Sequence, residues 1–359
     1  MKLPSLKIGD LEARFPIMQG GMGVGISMSG LAAAVTNAGG IGVISGLHLS
    51  LSDPKWGTDI RSANIEALRE EIRKARKLAP GGIIGVNILS AITEYSTMVR
   101  TAVEEGIDLI ISGAGLPLNL PEFVKGTRTK ALPIVSSARA ASIICKSWDR
   151  KHEYAPDAII VEGPKAGGHL GFKLEQLAHM DMYKLENIVP QVLEAIKPYE
   201  QKYGKQIPVI AAGGVFDGKD IAKFLKIGAS GVQMATRFVA TYECDASPAF
   251  KQAYVDAKKE DVTIISSPVG MPGRAIKNEF LIDVEKHERT PDFCKYNCLS
   301  PCNPKKAPYC IAQALLNAQK GNMADGFAFC GENVYRIDKI VHVSELMDEL
   351  TTEAEDNME

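Results

Sequence analysis

Two hydrophobic periods alternate along this chain. Short runs rich in β-branched and small apolar residues end in Gly, Ser, Asn or Gln, and most are followed by a segment with apolar positions three and four apart. The runs are 15–19, 41–44, 83–87, 107–111, 132–135, 158–161, 208–212 and 230–234. Helical spacing follows over 29–38, 63–79, 93–105, up to about 151, 183–203 and 311–318. The second of these is the clearest, with Ile65, Leu68, Ile72, Ala75 and Leu78 between charges and Pro80-Gly81 as its stop. Asp217 is placed to cap a further helix whose apolar face is Ile221, Ala222, Phe224 and Leu225. The stretch around Pro54 and Trp56 is too irregular to assign. Alternation of this kind requires a parallel sheet, and eight units across about 240 residues predict an α/β fold, a (β/α)8 TIM barrel. A doubly wound open sheet is the alternative, but Gly20-Gly21-Met22-Gly23-Val24-Gly25 fits its G-x-G-x-x-G fingerprint only loosely. After Arg237 the pattern breaks. Residues 1–240 and 312–359 are expected to form the barrel, with 241–311 a small lid on the substrate side. The acidic end, TTEAEDNME, is expected to fray.

Composition narrows the function classes. The chain has 359 residues, 45% hydrophobic and 23% charged, and a formal net charge of -2. Nothing here offers the basic surface that nucleic acid or anionic lipid would need. No apolar run has the length of a signal peptide or a membrane span, so the expected location is cytoplasmic.

The chemistry concentrates at the strand ends. Gly213-Gly214 and Ala235-Thr236 follow two consecutive strands, and both turns are rich in bare backbone N–H groups. In such barrels the last two loops commonly make a phosphate site of this kind. His169 lies in a glycine-rich loop, Ala166-Gly-Gly-His-Leu-Gly171, after the sixth run. Glycines let backbone approach a planar ligand, and imidazole can exchange a proton near neutral pH. The other five histidines, at 48, 152, 179, 287 and 342, have no comparable setting.

Taken together, Pro16–Met22, Gly39–Gly42, Gly85–Asn87, Ala166–Gly171, Ala211–Val215, Gly231–Arg237, and Gly273-Arg274 with Asn278 resemble the nitronate monooxygenase (2-nitropropane dioxygenase) and FabK-type enoyl-ACP reductase family. The resemblance implies an FMN-dependent TIM barrel. It implies that Gly213, Gly214, Ala235 and Thr236 hold the FMN phosphate and that Gly20, Gly21, Met22 and Asn87 lie along the ring. Ser137, Glu162 and Gly168 would line the remaining cofactor contacts, with His169 the catalytic residue. Lys165 departs from the family pattern, which has an acidic or small residue there. The leading expectation is oxidation of alkyl nitronates with O2 on a small-molecule substrate, in a homodimer. The alternative is NAD(P)H-dependent reduction of an enoyl thioester, with acyl-carrier protein as partner. A phosphorylated-metabolite barrel without flavin is a further reading.

Four of seven cysteines fall within one segment, Cys294-x3-Cys298-x3-Cys302-x7-Cys310. In a reducing compartment this suggests metal ligation before disulfides: an iron–sulfur cluster or a zinc ion, with free thiols or partial disulfides as the other readings. Pro301 and Pro304 rule out one continuous helix through them. A flavin/iron–sulfur electron-transfer or redox-sensing protein is the reading that would use them. Cys145, Cys244 and Cys330 read as isolated buried thiols. Met98, Met180 and Met182 read as core.

Overall fold

The computed structural model describes residues 1–52, 59–287, 289, 291, 294 and 296–358. The stretch with Pro54 and Trp56 lies outside them. Eight parallel strands make one sheet: β1 Ile17–Gln19, β2 Gly42–Ser45, β3 Ile84–Asn87, β4 Leu109–Ser112, β5 Lys130–Val135, β6 Ile159–Glu162, β7 Val209–Ala212 and β8 Gly231–Met234. Each pairs with its neighbour in sequence, and β8 returns to β1. The last seam is closed by backbone bonds from Gln19 N–H to Ile41 O (2.9 Å) and from Ile41 N–H to Ile17 O (3.0 Å). The sheet is therefore a closed barrel, as the βα alternation predicts.

Alternation along each strand sorts the core into two shells. Met18, Val43, Ile111, Leu132, Ile160 and Ile210 point inward and pack with Leu6, Ile8 and Ala13. Those three come from an N-terminal hairpin, Leu6–Ile8 against Leu11–Ala13, which plugs the barrel floor. Val86, Ile110, Ile159, Val161, Val209 and Val232 belong to the outer shell, against the helices.

Six outer helices follow the strands closely: α1 Ser29–Asn37, α2 Ile60–Leu78, α3 Tyr95–Glu104, α4 Pro121–Val124, α5 Ala138–His152 and α6 Leu185–Tyr203. In α7, Gly218–Lys226, the Asp217 carboxylate accepts the Asp220 N–H at 3.0 Å, so the predicted cap forms. After β8 only a single turn, Thr236–Val239, follows before the chain leaves the barrel. The open place is filled by the C-terminal helix α8, Val343–Asp356, which packs between α1 and α7.

This corrects the expectation of a frayed tail. Leu350, Thr351 and Ala354 are buried, Glu353 accepts the Gly218 N–H at 2.8 Å, and Glu355 accepts the Leu3 N–H at 3.2 Å. The acidic residues are thus anchors on one face of an ordered helix. Met98 and the three isolated cysteines are buried. Met182 is not; it is 73% exposed on the excursion after β6.

The segment after Thr241 contains one sheet that helical periodicity does not predict. Val262–Ser266 and Pro272–Ile276 form an antiparallel pair, and Gly168–His169 adds to its edge. The cysteine segment docks elsewhere, on the loop after β3. Thr93 N–H donates to Cys298 O at 3.2 Å, and Ser300 N–H to Ala91 O at 2.9 Å. Cys310 then stands at the residue before the helix Ile311–Gln319, with no side-chain cap bond.

Candidate active site

The strand C-termini open on a cavity of about 420 Å3. Gly20, Gly21, Met22, Asn87, Ser137, Glu162, Gly168, His169, Gly213, Gly214, Ala235 and Thr236 all line it. Strand register explains the convergence. Ala212 pairs with Gln233 and with Glu162, Met234 with Gln19, and Ser45 with Asn87. The turns that follow are consequently side by side: Gly213-Gly214 beside Ala235-Thr236, and these beside Gly20.

Gly213 and Gly214 have φ of +90° and +92°, where an L side chain is strained. A Cβ on Gly213 would lie 2.8 Å from Ala166 Cβ, and one on Gly214 would lie 2.9 Å from Lys165 Cβ. On the opposite wall, a Cβ on Gly21 would lie 2.5 Å from Asn87 Cβ. The glycines thus let backbone form the walls of the cavity at both ends.

His169 is held from three directions. Its backbone pairs with Gly273, its Nε2 lies 2.7 Å from Ser267 Oγ, and its ring stands 5.0 Å from that of Phe329. Burial pulls its pKa down to about 4, so the imidazole is neutral at pH 7. In that state its ring can donate or accept a hydrogen bond and carries no standing positive charge. Glu162 is shifted the opposite way. Burial raises its carboxyl to about 8, against the lowering effect of a Gly171 backbone bond and of Arg274. At pH 7 it holds its proton.

Arg274 organises the loop that carries His169. It is 2% exposed and donates from one terminal nitrogen to Pro164 O (2.7 Å) and Ala166 O (2.6 Å). Its Nε pairs with Glu332 at 2.9 Å. The loop before His169 is therefore tied to the mouth sheet and to the segment 330–333.

Some cavity residues carry little sequence signal of their own. Gln233 Oε1 is buried without a partner, and Gln233 lines the cavity. A buried acceptor of this kind needs a donor, which a ligand with ring N–H or hydroxyl groups would bring. Only its inward position on β8, two residues after Gly231, could have pointed to it. Ser267 and Phe329 come from distant segments that sequence spacing does not join to His169. Ser137 lines the cavity while its hydroxyl caps α5, accepting the Ala140 N–H at 3.2 Å.

None of the four clustered cysteines lines this cavity, and all seven thiols are free. Cys298 is pushed up to about 12 by burial, with further raising by Cys310, Cys302 and Cys294. The four are within electrostatic reach of one another. Among the described residues, no three or more of His, Cys, Asp and Glu are gathered about a point that could hold a metal ion. No helix among them is long and apolar enough to cross a membrane.

A family model described as nitronate monooxygenase matches residues 5–353. A probable nitronate monooxygenase of Staphylococcus saprophyticus is 26% identical over 334 residues, covering 86% of this chain and 88% of that protein. A (3aS,4S,5R,7aS)-5-hydroxy-7a-methyl-1-oxo-octahydro-1H-indene-4-carboxyl-CoA dehydrogenase of Mycobacterium tuberculosis is 28% identical, covering 77% of this chain and 67% of that protein. Among solved structures, FabK from Thermotoga maritima superposes with a TM-score of 0.73 at 27% identity, covering 96% of this chain and 94% of its own. A nitroalkane oxidase from Streptomyces ansochromogenes shares the fold with a TM-score of 0.73 at 21% identity, covering 96% and 97%.

Proposed function

Because the chain belongs to the nitronate monooxygenase family and is an FMN-dependent oxidoreductase, we propose that it oxidises alkyl nitronates with O2 at the barrel mouth. The observation that carries this reading is the pairing of two backbone-lined turns, Gly213-Gly214 and Ala235-Thr236, with a neutral imidazole across the same cavity. The turns would hold the FMN phosphate, and Gly20, Gly21, Met22 and Asn87 the ring side. Gln233 Oε1, buried and unpartnered, would accept from the cofactor. Bound FMN would supply the redox chemistry that joins an electron-rich carbon acid to O2.

The residues of the chain set the electrostatics. A nitronate is an anion, and an ionised carboxylate in a buried cavity would repel it. Glu162 keeps its proton and removes that repulsion. His169, neutral and positioned by Ser267, offers the substrate a hydrogen bond or accepts a proton. Phe329, Leu315 and Met271 supply apolar wall around it.

The test compares reductants without oxygen. Propyl nitronate should bleach the flavin faster than NADH does, and His169→Ala should keep the flavin while losing about 100-fold or more in turnover. Unchanged turnover would remove His169 from its role. NADH bleaching faster than nitronate would favour the second reading, reduction of an enoyl thioester, which similarity to FabK supports.

The thiols at 294, 298, 302 and 310 are proposed ligands of an iron–sulfur cluster. Zinc on the same four thiolates, and free thiols, are the alternative outcomes. Cys310 sits at the start of a helix whose Leu315 lines the cavity. That helix joins the thiol segment to the wall of the cavity that would hold the flavin. Anaerobically purified protein should then contain iron and acid-labile sulfide; finding neither rejects the cluster.

A further inference from the structure

A second cavity of about 660 Å3 adjoins the first, and Gly213, Gly214, Lys165 and Asn333 line both. Its walls carry four basic side chains, and three of them are paired. Lys184 meets Asp181 at 3.3 Å, Lys223 meets Glu186 at 3.0 Å and Asp220 at 3.1 Å, and Arg336 meets Asp217 at 2.7 Å. Lys165 is the exception: among the described residues its ammonium has no ion-pair or hydrogen-bond partner. Glu186 feels its charge but is neutralised by Lys223.

The backbone on either side of Lys165 is fixed, and its side chain is exposed at the rim shared by the two cavities. Arg274 holds the carbonyls on either side, at Pro164 and Ala166, while Glu332 N–H donates to Lys165 O at 3.1 Å. The side chain runs over the Gly213-Gly214 turn, close enough that a Cβ on Gly214 would meet Lys165 Cδ at 3.2 Å. Gly331 completes the same corner, its N–H donating to Thr236 Oγ1 at 2.9 Å, and Asn333 Nδ2 donates to Gly214 O at 2.9 Å. A fixed backbone, two turns of bare amides and one unneutralised ammonium converge on this corner. Amides at such turns already favour an anion, and an added cation strengthens that preference through a charge-assisted contact.

We propose that Lys165 is a phosphomonoester clamp, closing the phosphate end of the cavity from the side of the second cavity and making the site select the 5′-phosphorylated flavin over the unphosphorylated one. This rests on the flavin reading above. The readout is binding, not turnover. Full-length protein stripped of flavin is titrated with FMN and with riboflavin by fluorescence quenching, at two salt concentrations. Removing one charge-assisted contact should weaken FMN binding by roughly tenfold or more in Lys165→Ala while leaving riboflavin binding within about twofold. The loss should shrink at high salt, and Lys165→Arg should restore most of the FMN affinity. Equal losses for both flavins, or no loss for either, overturn the clamp. If the unaltered protein binds riboflavin and FMN alike, the clamp fails while the flavin reading stands. If it binds neither, the flavin reading itself fails and takes the clamp with it.

Discussion

The residues of the mouth are tuned in opposite directions by the same cause. Burial disfavours charge on both His169 and Glu162, so the base is pulled down to about 4 and the acid pushed up to about 8. Two titratable groups split in this way divide acid from base roles within one cavity. A pH dependence follows. In the folded protein a carboxyl raised to about 8 stays protonated up to that pH and ionises above it. Nitronate turnover should therefore fall as pH rises past about 8, when Glu162 ionises beside an anionic substrate. Glu162→Gln keeps the shape and cannot ionise, so its high-pH limb should be absent while activity at pH 7 is retained. An identical high-pH limb in the two proteins would show that another group titrates there. Imidazole chemistry at 169 was legible in the sequence from its glycines, but its neutrality was not, because burial by Phe329 and Ser267 depends on segments about a hundred or more residues away.

At the scale of elements, strand ends decide what meets what. The eight short runs were legible because buried parallel strands need unbroken apolar stretches, and their polar stops mark where the backbone reaches the cavity. The observed bounds differ from the expected ones by a residue or two, as at Ile159–Glu162, where the strand runs on to the carboxylate. The mouth sheet was missed. Val262–Ser266 is partly exposed along most of its length, so the strict in-and-out alternation that signals a strand is absent. Its partner Pro272–Ile276 begins with Pro272 and Gly273, residues that ordinarily weaken a strand reading. Arg274 is buried there for a reason of its own: it satisfies two carbonyls of the His169 loop and pairs with Glu332. That hairpin therefore carries the ligand-facing loop on one edge and the ion pair that fixes it on the next residue. Local sequence cannot show such an exchange, since every partner in it is distant along the chain.

For the molecule as a whole, closure of the helical ring depends on the C-terminal helix, Val343–Asp356. The short turn Thr236–Val239 leaves β8 without a covering helix, and the chain departs for about a hundred residues before α8 returns. The acidic composition of the tail hid this, because its charges occupy one face and its buried residues recur three and four apart. Val343, Leu346, Met347 and Leu350 are each at most 1% exposed. Burying a side chain of that size contributes about 1.5–3 kcal/mol, so the four together contribute about 6–12 kcal/mol, comparable with the whole net stability of a domain. Arg237 on the turn after β8 pairs with Glu349 at 2.9 Å, and Gly218 lies so close to α8 that a Cβ would meet Ala354 N at 2.3 Å. The helix is thus fitted against the turns that follow both β7 and β8, the two whose backbone lines one end of the cavity. A chain ending at His342 should lose cooperative unfolding in denaturant and, with it, flavin binding. Ala substituted for Gly218 should cause a milder loss of stability with the same weakening of flavin affinity, because the clash displaces α8 without removing it. If the shortened chain still unfolds in one sharp transition and binds flavin normally, the ring closes without α8 and the cavity owes nothing to it.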